Sequence, residues 1–285
     1  MRKSIFDIVS ESINMESDAK RIITMAEKEK ILCYEECIYY ELIKFVDEYC
    51  FKEWEYRGHF INVKDFLSAM KIDELKLRAT QDVNDFLTLI ELVYNFWNLS
   101  YQKFSDNKKG YILQWCGNYY HLKEVMDDIL EKYNHIACMS KDKGRILVIE
   151  NKKEVTAVAE IVPDILSLDV IKYNHRTLQG DVEQKKSILF SLGTELEPKR
   201  KELQNINKQL SEDIFFMLNN IHIRHNNRSK NEPSKYKEYV AKMTKKQLER
   251  WYDELYQMML LAFLLLDNED RKIQVKNLKD NIVNT

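Results

Sequence analysis

Residues 197–223 read EPKRKELQNINKQLSEDIFFMLNNIHI. Leu203, Ile206, Leu210, Ile214, Met217, Leu218 and Ile221 recur at the three- and four-residue spacings that put side chains on one face of a helix. Pro198 stands where a helix tolerates proline, near its start. The spacing therefore predicts one long amphipathic helix over 197–223. Upstream, Asp181 opens a further helical segment in which Ile188, Leu189, Phe190 and Leu192 lead to Gly193. Downstream comes a polar linker over 225–234. Thr244 and Gln247 then form a capping-box pattern ahead of Leu248, Trp251, Leu255, Met258, Met259 and Ala262. The tail, 268–285, reads as a short surface helix.

The same reading extends to the N-terminal half. Residues 16–50 carry Ile22, Ile23, Ile31, Leu32, Leu42, Ile43 and Val46 at helical spacings, with no Gly or Pro between them, and predict a long helix. Residues 51–61 break the pattern as a loop or short strand pair. Helices follow over 63–70 and 82–104, the second capped by Asp82 or Asn84, then a turn at 106–110 and a helix over 111–133. The clearest strand is Arg145–Glu150, short and β-branched, and its partner is either His135–Cys138, which would make a small hairpin, or the segment 51–61. Residues 152–173 return to helix, with Pro163 in a first turn or at a break between two helices. The expected fold is mainly α, with a small β element near 135–150. Three regions follow: 1–140 helical, 141–180 small α/β and 181–285 helical. One core could serve all three.

Composition agrees with long helices. Six Gly and three Pro among 285 residues leave little material for tight turns. Apolar residues make up 45% and charged residues 32%, enough for a core and a wet surface. The 44 basic and 46 acidic residues give a formal net charge of −2, so no global field draws the chain to nucleic acid or membrane, and any anion site must be local. No signal-peptide pattern opens the chain and no run is long enough to span a bilayer. The five cysteines include no CxxC pair, and reduced, buried thiols in a cytoplasmic protein are expected. The pairs Lys152-Lys153, Lys185-Lys186 and Lys245-Lys246 read as surface residues.

No P-loop, dinucleotide fingerprint, zinc-hydrolase helix, nucleophile elbow or EF-hand loop occurs. The densest polar run is Asn219-Asn220-Ile221-His222-Ile223-Arg224-His225-Asn226-Asn227-Arg228, where the long helix ends. On a helix His222 and His225 would share a face, with Asn219 and Asn226 extending it and Arg224 and Arg228 beside it. Imidazoles that titrate near neutrality can move the protons of a phosphodiester cleavage. A guanidinium can hold the phosphate and the charge that develops on it. The expected catalytic residues are thus His222, Arg224 and His225, and the substrate-binding ones Asn219, Asn226, Asn227 and Arg228. The same run would also serve as an elaborate helix C-cap, because Asn accepts the left-handed conformation and cations meet the helix dipole favourably there. Two imidazoles without a third ligand at a recognisable spacing make no metal site, and no cofactor is expected.

Over Asp181 to Asp267 the long helix, the following helix and the Arg-led polar motif resemble the HEPN superfamily. That resemblance implies a helical, often dimeric domain acting as a metal-independent endoribonuclease in toxin–antitoxin, CRISPR or abortive-infection systems. Arg224-His225-Asn226 resembles the opening of the family's motif. The motif's closing histidine is missing, because His225 is the last histidine in the chain. Either His222 or His225 takes its place, or the domain is inactive. The expected function is an RNA-directed antiviral defence effector that cleaves RNA without metal. In that reading two copies of the cluster would meet across a symmetric homodimer. The alternative is a non-catalytic interaction or sensor module of antitoxin type, with a partner protein. Neither reading involves a membrane.

Overall fold

The structure, a computed structural model, describes residues 14–33, 38–70, 72, 82–106, 113–116, 119–140, 144–231 and 233–283. Glu35, Glu36, Cys37 and the turn residues 107–110 lie outside them. The fold is mainly α-helical, with two small antiparallel sheets. Its contacts divide the chain into two compact units, 1–151 and 152–285. The segment read as a small α/β region, 141–180, is shared between them.

The first unit starts with α1 (Met15–Lys28), capped by Asn14, whose side chain accepts from Ser17 N–H at 3.0 Å. The long helix expected over 16–50 ends here. Strand β1 (Lys30–Cys33) follows, with alternating burial at Ile31 and Cys33, and β2 (Ile38–Glu41) pairs with it. Over so short a stretch, apolar residues two apart fit either period, and only strand pairing decides. α2 (Leu42–Phe45) continues into a π turn, Val46–Cys50, and two short 3-10 turns take up the region expected as a loop or strand pair. α3 (Val63–Ala69) follows.

α4 (Val83–Asp106) is the axis of this unit. It buries Phe86, Leu87, Ile90, Val93, Tyr94 and Phe96, which face more than one side of the helix. Asp82 caps it as expected, accepting from the N–H groups of Asn84 and Asp85 at 2.8 and 3.0 Å. β3 (Leu113–Cys116) takes the start of the helix expected over 111–133 and pairs with β1, giving the order β2-β1-β3; the helix itself is α5 (Tyr119–Lys132). Of the two partners expected for the Arg145–Glu150 strand the first is found: β4 (His135–Met139) pairs with β5 (Ile146–Glu150) in a hairpin, while 51–61 forms no strand. The far edge of β5 is satisfied by α4: Asn95 exchanges hydrogen bonds of 2.8 and 2.9 Å with the backbone of Ile146, and Glu91 accepts from Val148 N–H at 2.8 Å.

The second unit is a helical assembly. α6 (Lys153–Ile161) and α7 (Asp164–Tyr173) meet at Pro163, the expected break. α8 (Val182–Leu196) is capped by Asp181, which accepts from Gln184 N–H at 3.0 Å. The single helix expected over 197–223 is two, α9 (Arg200–Ile206) and α10 (Lys208–Asn220). Asn207 leaves the helix between them, and its side chain caps α10 through Leu210 N–H at 3.1 Å. After the short α11 (Glu238–Ala241), the Thr244/Gln247 capping box forms in both directions, at 2.9 and 3.2 Å. It opens α12 (Lys245–Val283), which runs on through the tail that was expected to be a separate helix. Leu189, Leu192, Ile214, Leu218, Leu255 and Met259 are fully buried in this unit. α8 and α10 pack so closely that a Cβ built on Gly193 would lie 2.8 and 2.9 Å from the Leu218 methyls.

Candidate functional site

The polar run after α10 is not helical. α10 ends at Asn220, and His222 takes the left-handed conformation with φ 70°. The three-residue spacing of His222 and His225 therefore sets no common helix face. The chain turns back as Ile221 N–H donates to Met217 O at 3.0 Å and Arg224 N–H to Leu218 O at 3.0 Å.

Asn227 holds this turn together. It has no exposed surface. Its Oδ1 accepts from His222 N–H at 2.8 Å, while its Nδ2 donates to Asn219 O at 3.2 Å and Lys235 O at 2.8 Å. Its carbonyl accepts from Lys237 N–H at 2.9 Å. One side chain so joins the end of α10 to the far side of the loop. Asn219 contributes its carbonyl to this network, and Asn226 is exposed.

Arg224 is turned toward α8. Its Nη2 donates to Gly193 O at 3.0 Å and lies 2.5 Å from Glu197 Oε2, with the guanidinium 5.5 Å from the centre of the Phe215 ring. Its side chain is 17% exposed. His222 meets α8 at Lys186, about 10 Å back along the axis from Gly193 at 1.5 Å rise per residue. The fold thus directs Arg224 and His222 to different stretches of α8. His225 is half-buried.

Around His222 a different set assembles. Its Nε2 is 3.3 Å from Lys186 Nζ, and its carbonyl accepts from Tyr252 OH at 3.4 Å. Its Nδ1 is buried without a hydrogen-bond partner. An ammonium donates, so Nε2 is the acceptor and the ring proton belongs on Nδ1. Burial, then the charges of Lys186 and Arg228, hold the imidazole pKa below the usual histidine value; Glu183 and the backbone of His225 act the other way. Arg228 donates through Nη2 to Met243 O at 3.0 Å. Burial and the Glu183 charge raise the Tyr252 pKa against the pull of Arg228.

Lys186, Glu183 and Tyr252 carry no local signal in the sequence. Lys186 and Tyr252 reach His222 from α8 and α12, 36 and 30 positions away, and the Glu183 charge acts on it from α8. The neighbouring Lys185 corrects the surface reading of that pair. Its side chain is 8% exposed and lies 2.8 Å from both Glu249 and Asp253, and Tyr173 OH also donates to Asp253, at 3.0 Å.

Among the described residues the cysteines offer no comparable chemistry. Cys33, Cys50 and Cys138 are buried free thiols. Burial pushes Cys50 up to about 12 and Cys138 to about 11, so both are protonated and weakly nucleophilic at neutral pH. Among the described residues no group of three or more His, Cys, Asp or Glu side chains is placed to hold a metal ion, and no helix is long and apolar enough to cross a membrane. Comparison with protein-family models, curated proteins and solved structures yields no match.

Proposed function

We propose that the second unit is a HEPN-like, RNA-directed unit that cleaves RNA without metal, with His222 as the proton-transfer group. The observation that supports this most is a neutral imidazole at a helix end, with its acceptor nitrogen against the Lys186 ammonium and the Arg228 charge close by. A bound phosphate draws Lys186 off Nε2 and leaves that lone pair facing the substrate. The ribose 2′-oxygen then attacks phosphorus, and its proton passes to Nε2. The bond from phosphorus to the 5′-oxygen breaks, and the leaving oxygen takes a proton from Lys186. A 2′,3′-cyclic phosphate and a 5′-hydroxyl remain. Arg228 balances the charge on the phosphate. Arg224 and Asn227 are positioning residues in this scheme, because their polar groups are already used within the chain. A role in antiviral defence rests on the family resemblance alone.

That same use of Arg224 and Asn227 favours a second reading, a non-catalytic interaction module in which the run is only a cap. Incubation with RNA in excess EDTA separates the two. On the first reading the wild type yields cyclic-phosphate ends, His222→Gln and Lys186→Met lose them, and His225→Ala keeps them. A folded wild type that leaves RNA intact favours the second.

A further inference from the structure

α12 outlives its own core. Leu266 is the last buried residue on its inner face, and from residue 270 to 283 every side chain is exposed. Val275, Leu278 and Ile282 are 48, 58 and 65% exposed. A stretch rich in Asn, Asp and β-branched residues gains little from helix propensity, and its exposed apolar side chains gain by being covered.

The apolar positions say which partner. Leu261, Leu264, Val275, Leu278 and Ile282 fall at alternating spacings of three and four, with Asn268 and Arg271 filling the two places between. That is a heptad seam of about three repeats. Leu261 is 46% exposed, so the seam begins on the outer face of the packed part of α12 and runs into the tail. Asn268 takes an a-type position, where paired Asn side chains favour two strands in register. Arg271 takes a d-type position and turns its head out to Asp267, 2.6 Å away, leaving its stem to cover the seam. Asp267 and Lys272 take the flanking g and e positions, which face each other with opposite charge across a parallel pair. Ile273 and Val283 lie off the seam.

We propose that a second copy of this chain covers the tail, forming a parallel two-stranded coiled coil over residues 261–283. The proposal is independent of the ribonuclease reading. Sedimentation velocity of the full chain across the micromolar range tests it. A monomer–dimer equilibrium is expected. Leu278→Asp places a charge in the seam and raises the dissociation constant about 100-fold or more, whereas Ile273→Asp leaves it within about 3-fold. Both positions are exposed in the monomer, so circular dichroism should show the rest of the fold intact. Lys272→Glu weakens the dimer, and adding Asp267→Lys restores it. A chain that stays monomeric throughout, a dimer that survives Leu278→Asp, or a Lys272→Glu loss that Asp267→Lys fails to recover would each overturn the proposal.

Discussion

His222 holds a left-handed backbone, φ 70°, which costs a residue with a β-carbon about 1–2 kcal/mol. Glycine would relieve that cost but add freedom to the unfolded chain. His222→Gly is therefore expected to unfold in urea within about 1 kcal/mol of the wild type while losing RNA cleavage, a separation that a purely structural histidine would not show. The imidazole also makes stability depend on pH. Its pKa is depressed in the folded state, so the unfolded chain binds the extra proton first. The wild type keeps its full stability above the ordinary histidine pKa of about 6.5. It then loses stability as pH falls toward the depressed value. Urea midpoints between pH 7.5 and 4.5 should show this loss in the wild type and less of it in His222→Gln. Asn227→Ala removes three side-chain hydrogen bonds from a fully buried site and leaves backbone groups of His222, Asn219 and Lys235 unpaired. Denaturant titration should register about 2–4 kcal/mol.

At the scale of elements, packing of α8 on α10 depends on the missing side chain of Gly193. Gly193→Ala would force the Leu218 methyls aside and cost about 1–3 kcal/mol in thermal or urea unfolding, despite alanine's better helix propensity. Elements that announce themselves locally were readable from the sequence: Asp82 at the start of α4, Pro163 between α6 and α7, the capping box before α12, and the strand β5, for which β4 was one of two candidate partners. Those decided by distant partners were not. β1 and β3 are strands because they pair across some eighty positions, and their few apolar residues suit a helix equally well. Asn207 interrupts the 197–223 stripe without disturbing its spacing, so the break between α9 and α10 leaves no trace in the periodicity. The candidate site divides the same way. The loop residues stand together in sequence and were found there. Lys186, Glu183 and Tyr252 come from other elements, and Arg224, assigned to the phosphate from sequence, is turned to Glu197 by a contact that no spacing reveals.

On the whole molecule, each unit carries its own apolar interior. The aromatic-rich core around α4 lies wholly within residues 1–151, and Lys185, Glu249 and Asp253 tie α8 to α12 within the second. Residues 152–285 expressed alone are therefore expected to unfold cooperatively in urea, and a gradual, non-cooperative loss of helix would count against their being a unit. In the function proposed above, this second unit acts on RNA through His222. The most direct test is the purified full chain, with and without His222→Gln, incubated with RNA in excess EDTA and the new ends analysed. Cyclic-phosphate ends from the wild type, absent with the variant, are the expected result. Intact RNA with the folded wild type, or equal cleavage by His222→Gln, would contradict it.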